Sequence, residues 1–331
     1  MKNTNSDQQN PTAKELIAAN IQTLMDQLEQ GHSEAFTAYL AAMSRFHRYS
    51  FGNILEIARQ RPEATRVAGI RTWNEFGRRV NRGEKGIRIY APMVRAKRET
   101  EETAEPTQDG KRIHIVTGFR AVYVFDVSQT TGDELPEPAK ASGEAGECRE
   151  RLFSFLGRQG IEIEYNEAIA PAQGVSYGGR IALLPGQLPA EELATLIHEA
   201  GHELLHRGDE RAATTKTVRE LEAEAVAFVV GEAVGLDMGT TSADYIKLYE
   251  GNPEMLAESL EAIQHASAAI LAAILPAAEQ EDQRPCGGLA GRRTVAICRE
   301  MEVTVAPGAF ILTYDDGARN WSFLADEWRL R

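Results

Sequence analysis

Residues 189–207, PAEELATLIHEAGHELLHR, decide how the second half of this chain folds. Pro189 stands where a proline favours the first turn of a helix, and the rest of the stretch predicts one continuous helix. Within it His198-Glu199-Ala200-Gly201-His202 matches H-E-x-x-H. With only 7 histidines in 331 residues, roughly 0.02 matches per chain would arise by chance in this composition. Positions i and i+4 lie on one helix face, so both imidazoles can reach one zinc ion. Glu199 between them is placed to act as general base on water polarised by that ion.

A third ligand is needed. His206 lies eight residues from His198, about 12 Å along a continuous helix, too far to share one ion bonded at ~2 Å. The glycine break of three-histidine sites is absent, because position 205 is leucine and position 208 glycine. The next predicted helix, at about 217–234, carries Glu220, Glu222 and Glu224. Glu220 and Glu224 share a face, suiting one ligand and one carboxylate that steadies a ligating histidine. Glu220 is the favoured ligand and Glu224 its support, with the reverse assignment as the alternative. Glu222 is expected to point elsewhere, and replacing it to have little effect. Two plainer readings are a zinc site that is structural or silent, and histidines that merely decorate a helix.

Around this helix the chain predicts a helix at about 148–158, strands at 161–165 and 179–185, and a further helix at 256–275. A tail after about 285 is β-patterned. The three cysteines form no C-x-x-C pair, which excludes a cysteine zinc ribbon and fits reduced thiols. The first ten residues are polar with no apolar run behind them, and no stretch approaches the ~20 apolar residues of a membrane span. A cytoplasmic protein with no membrane partner is expected.

The charge is uneven. The net charge is −13, yet residues 1–98 hold 16 Lys/Arg against 9 Asp/Glu, and residues 45–98 hold 14 against 4. Such asymmetry marks the basic part as a candidate for phosphate contacts. Helices are expected at 12–30, 33–46 and 53–61, followed by strands at about 87–93 and 112–127. Between those strands KRETEETAEPTQDGK, 97–111, reads as a mobile loop. Residues 128–147 have little to bury and place a boundary there. Through 45–90, cations interleave with Phe46, Tyr49, Phe51, Trp73, Phe76 and Tyr90. Guanidinium groups can follow phosphates while aromatic faces stack bases, as in binders of single strands. The candidate DNA contacts are Arg45, Arg48, Tyr49, Asn53, Arg71, Trp73, Arg78, Arg79, Arg82, Lys85 and Arg88. For any one aromatic, burial is the better expectation, most of all for Trp73 and Phe76 at i, i+3.

The stretches YSFGNILEIARQRPEATRVAGIRTWNEFGRRVNRGEKGIRIYAPM, VYVFDVSQTTGDELP, and HEAGH followed by RELEAEAVAFVV together resemble the plasmid antirestriction proteins of the ArdC type. Tyr49, Ser50, Asn53, Trp73, Gly83, Lys85 and Gly86 match the family's N-terminal motif, and His198, Glu199, His202, Glu220 and Glu224 its metal motif. The resemblance implies an α+β chain: an α+β domain binding single-stranded DNA at 1–130, a linker at 131–147, and a mostly helical zincin-like metallopeptidase domain with a small sheet at 148–285. Residues 286–331 would be a β-rich appendage. It also implies protection of incoming plasmid DNA during conjugation, with Zn2+ as the metal and Mn2+ or another divalent ion as the alternative. Double-stranded DNA would bind more weakly. The competing reading is a zinc endopeptidase that cleaves DNA-associated or regulatory proteins.

Overall fold

The computed structural model describes residues 13–30, 32–96, 114–135, 145–207, 214–236, 252–275, 301–306, 309–315 and 320–325. The expected loop at 97–111 lies outside them. The fold is α+β. Three helices open it: α1 (Ala13–Glu29), α2 (Ser33–Arg45) and α3 (Phe51–Gln60). Short strand β1 (Val67–Ala68), helix α4 (Ile70–Glu75) and strand β2 (Arg78–Val80) follow. Long strands β3 (Ile87–Ala96) and β4 (His114–Asp126) then lead to β5 (Thr130–Gly132). One sheet has the order β1-β4-β3, and β2 pairs antiparallel with β5.

The next part runs through α5 (Ala145–Arg158), β6 (Glu162–Tyr165), β7 (Gly174–Ser176), β8 (Arg180–Leu183) and α6 (Pro189–Leu205). Helices α7 (Lys216–Val234) and α8 (Pro253–Ile274) complete it. The sheet order is β6-β8-β7, with β6 parallel and β7 antiparallel to the central strand. Helices α7 and α8 carry local boundary signals. Thr215 accepts a hydrogen bond from the Val218 amide, and Gly235 ends α7 in the left-handed region at φ +77°, where glycine carries no Cβ penalty. Asn252 caps α8 ahead of Pro253. The tail strands β9 (Met301–Ala306), β10 (Ala309–Asp315) and β11 (Asn320–Ala325) form an antiparallel meander.

Residues 1–89 and 123–285 form one compact unit, and residues 90–122 with 286–331 a second. Inside the first unit α1 packs on α8 and α2 on α7. Phe36, Leu40 and Met43 of α2 are fully buried, as are Val229 and Val230 of α7 and Leu260, Ile263 and Ile270 of α8. Gln264 of α8 donates through its amide nitrogen to the His47 carbonyl at 3.1 Å and the Tyr49 carbonyl at 3.2 Å. The composition break near 130–147 and the contacts therefore divide the chain differently, because the helices before that break share a core with those after it.

Candidate metal centre and nucleic-acid interface

Helix α6 buries Leu193, Leu196, Ile197 and Ala200, which turns His198 and His202 towards α7. The two helices can approach because position 201 is glycine: a Cβ there would lie 3.1 Å from the Ala223 Cα. Glu220 of α7 then completes a cluster with the two histidines. The His198 and His202 Nε2 atoms are 3.2 Å apart, and the Glu220 Oε2 lies 3.7 Å from the first and 3.5 Å from the second. Tetrahedral ligand atoms bonded at ~2 Å to one ion lie about 3.3 Å apart, so these residues fit a divalent metal. Burial lowers the His198 pKa, and the charges of Glu220 and Glu224 oppose that shift. Of the two carboxylates, Glu220 joins the cluster, whereas Glu224 is exposed and acts on His198 through its charge.

Glu199 is buried beside the edge strand. A Cβ on Gly174 of β7 would fall 2.8 Å from the Glu199 Cγ and 3.0 Å from its Oε1. The strand is held there by Glu203, a residue that sequence reasoning passed over. Its buried carboxylate accepts from the Ser176 hydroxyl at 2.6 Å and from the Gly178 and Gly179 amides at 2.7 and 2.5 Å. This fastens the β7–β8 turn to α6. The signal was a fourth acidic position on the helix, one residue after HEAGH, with no exposed role of its own.

Glu222 points away from the cluster, as expected, but it is not idle. Helix α7 lies between α6 and α8, so a carboxylate off the Glu220 face also meets protein. The Glu222 Oε2 lies 2.6 Å from the His206 Nε2, and Ser259 of α8 donates its hydroxyl to the other Glu222 oxygen. His206 stays outside the three-ligand cluster, as its distance along the helix requires, and its Nδ1 is 3.4 Å from that of His202.

In the N-terminal segment the candidate DNA residues separate into two groups. Several are committed to the fold. Trp73 is wholly buried and its Nε1 donates to the Phe125 carbonyl at 2.9 Å. Tyr49 is 2% exposed with its hydroxyl on the Val67 carbonyl, and Asn53 is buried. Burial, the better expectation for any one aromatic here, holds for both rings, so these two candidate DNA contacts cannot stack on a base. Arg45 donates to the Ala64 and Pro62 carbonyls, and its guanidinium pKa is lowered by burial. Arg78 ties β2 to β5 through the Thr130 hydroxyl at 2.8 Å, the Thr130 carbonyl at 3.0 Å and the Asp133 carbonyl. Arg48 and Arg88 are partly buried. Gln60 brackets the Arg88 main chain, accepting from its amide at 2.9 Å and donating to its carbonyl at 2.8 Å.

The second group faces solvent. Arg79, Arg82 and Lys85 are exposed, and among the described residues none makes an ion pair. Arg71 is exposed beside Glu75 at 3.8 Å. The motif DVSQTT holds the loop that carries these cations. Asp126 accepts from the Thr65 and Arg66 amides, while Gln129 donates to the Glu84 carboxylate and the Lys85 carbonyl, each at 2.9 Å. Gly83, at φ +91°, makes the turn. Exposed Tyr123 packs over Gly86. An open groove of about 820 Å³ adjoins, lined by Ile70, Asn74, Arg78, Arg79, Glu84 and Phe125 among others.

Fold and site define an α+β protein in which a His–His–Glu cluster shares one compact unit with an arginine-rich segment. Residues 8–125 match the family model of the N-terminal domain of anti-restriction factor ArdC. An uncharacterized protein of Bacillus anthracis is 26% identical over 259 residues, 67% of this chain. The match spans 44% of that relative's length. The crystal structure of antirestriction ArdC protein from plasmid R388 is similar in its metal-free form, with a TM-score of 0.48, 19% identity, and coverage of 81% of this chain and 99% of that one. Its Mn(II)-bound form gives 0.46, 16%, 78% and 98%. No helix among the described residues is long and apolar enough to cross a membrane.

Proposed function

We propose that this chain is an antirestriction protein that binds single-stranded DNA, and double-stranded DNA more weakly, and so protects incoming plasmid DNA from host restriction during conjugation. The observation that carries this reading is the loop of exposed Arg79, Arg82 and Lys85, held by Gln129 beside exposed Tyr123 within the matched domain. Cations on such a loop neutralise phosphates, and an exposed ring offers a face to an unpaired base.

The metal centre supports a second capacity, a zinc endopeptidase acting on DNA-associated or regulatory proteins. Glu199 beside the Gly174 backbone favours it, since an extended peptide laid along an edge strand would bring its scissile bond near that carboxylate. His198, His202 and Glu220 would hold Zn2+, with Mn2+ or another divalent ion as the alternative. The ion, when bound, supplies Lewis-acid polarisation. Glu199 would then take a proton from water and deliver it to the leaving amine.

The test is a titration of the intact protein with single-stranded and double-stranded oligonucleotides at several salt concentrations, with and without chelator. Tighter, salt-sensitive binding of the single strand is expected. Equal affinity for both forms, or none for either, would reject the reading.

A further inference from the structure

We propose that His206 and Glu222 form a positioning pair that fixes the tautomer and orientation of His202, presenting its Nε2 lone pair to a divalent ion. The proposal rests on the reading of His198, His202 and Glu220 as metal ligands.

The argument follows the protons. A carboxylate accepts hydrogen bonds, so the 2.6 Å contact between Glu222 and the His206 Nε2 places the His206 proton on Nε2. Ser259 occupies the other Glu222 oxygen, which holds the carboxylate in that orientation. A neutral His206 with its proton on Nε2 carries a lone pair on Nδ1. That Nδ1 faces the His202 Nδ1 at 3.4 Å, so the proton between the two rings belongs to His202. With its proton on Nδ1, His202 has its lone pair on Nε2, the atom 3.2 Å from the His198 Nε2 and 3.5 Å from the Glu220 Oε2. The row is out of solvent, with His206 1%, Glu222 7% and Ser259 5% exposed, so water does not readily substitute for its members. Ligating histidines are generally fixed by a partner on the outer nitrogen, and loss of that partner typically weakens metal binding 10–100-fold. Here the partner is a second histidine, and α8 contributes through Ser259.

The test is a Co2+ titration of the full chain, read by visible absorption of the Co2+ complex and by thermal unfolding in chelator. Three variants are compared: His206→Phe, the double variant His206→Phe/Glu222→Gln, and His206→Asn. The first removes the acceptor. The second does so without stranding a buried carboxylate, and keeps the test open if the first fails to fold. Asn places an amide oxygen where Nδ1 stood and can accept from His202. We expect a loss of about 10-fold or more in Co2+ affinity and an altered spectrum for both phenylalanine variants, with recovery to within a few-fold in His206→Asn. Wild-type affinity and spectrum in the double variant would overturn the proposal, as would an equal loss of affinity in the asparagine and phenylalanine variants. Failure of the unaltered protein to bind Co2+ would reject the metal reading and the proposal with it. Binding by the unaltered protein with no response in the variants would reject the proposal alone.

Discussion

Gly201 of α6 lies against Ala223 of α7 so closely that a Cβ on the glycine would meet the Ala223 Cα at 3.1 Å and its Cβ and carbonyl oxygen at 3.4 Å. The glycine of HEAGH therefore sets the distance across which Glu220 reaches His198 and His202. Its neighbour is partly backbone, which cannot turn away as a flexible side chain would.

Gly201→Ala should accordingly spread the two helices by a few tenths of an ångström. Alanine raises helix propensity by about 1 kcal/mol, so the unfolding midpoint in chelator should change little. Metal affinity should fall about tenfold or more, and Gly201→Val should do worse. Calorimetric metal titration and a melting curve on the same samples separate the two effects, and undiminished affinity in both variants would show that helix spacing does not govern the site.

Glu199→Gln keeps the shape and hydrogen-bonding capacity of the side chain but removes the base. Any peptidase activity should drop by about 10² or more, while metal content and DNA affinity stay near those of the unaltered protein. Conjugation into a restricting host then sorts the two functions. Survival of protection in this variant makes the peptidase chemistry dispensable for it, whereas its loss with folding intact makes proteolysis the means of protection.

Replacing Arg79, Arg82 and Lys85 together by alanine should flatten the dependence of DNA affinity on salt by about 2 in log–log slope, at roughly 0.7 per phosphate contact on a single strand. Tyr123→Ala should lower affinity by ~1 to 3 kcal/mol with the slope unchanged if its ring stacks on a base. Arg78→Ala belongs in a different class, because its side chain spans β2 and β5; a lowered melting temperature is the expected result. An unchanged salt slope in the triple variant would move the phosphate contacts elsewhere.

What was readable in the sequence depended on whether a residue's job was local. The H-E-x-x-H spacing fixes two side chains on one helix face by geometry alone, and Pro189 marks the start of that helix in the same local way. The cation count marked an arginine-rich segment but could not separate exposed Arg79 from Arg78, one residue apart, because the difference is the pairing of β2 with β5. Trp73 and Tyr49 carry the same types of ring that a stacking platform would use, and only the core around Ala68 and Phe125 shows where the Trp73 ring goes. The partners of Glu222 were not readable, because helical phase predicts which residues share a face but not that a third helix covers the opposite one.

The shared core predicts how the chain tolerates truncation. A fragment of residues 1–130 loses α7 and α8, leaving the buried faces of α1 and α2 uncovered and the His47 and Tyr49 carbonyls without Gln264. Reading the basic segment as an independent domain would have the fragment bind DNA at least as tightly as the whole chain. The packing instead predicts a fragment with a lowered or absent cooperative melting transition. Gln264→Leu in the full chain should cost about 1–3 kcal/mol by removing the buried donor that serves the His47 and Tyr49 carbonyls. A sharp transition for the fragment near that of the intact protein would show that these helices stand alone.

His47 makes the same core sensitive to acid. Its ring is buried and its Nδ1 donates to the Ser44 carbonyl at 3.1 Å. Burial lowers its pKa from 6.5 to about 4, the hydrogen bond to Ser44 opposes that shift, and the Arg48 charge adds to it. A depressed histidine pKa means that the unfolded chain binds the proton more readily than the folded one. The stability associated with neutral His47 is therefore intact above about pH 6.5 and is lost as the pH falls towards about 4. A separation of this size corresponds to about 3 kcal/mol at most. Asparagine at this position can still donate to Ser44 but does not titrate, so His47→Asn should lose less stability than the unaltered protein between pH 7 and pH 4.5. Denaturant unfolding at both pH values measures the difference, and common carboxylate contributions largely cancel between the two proteins. Parallel losses in the two proteins would mean that His47 is protonated within the fold without penalty.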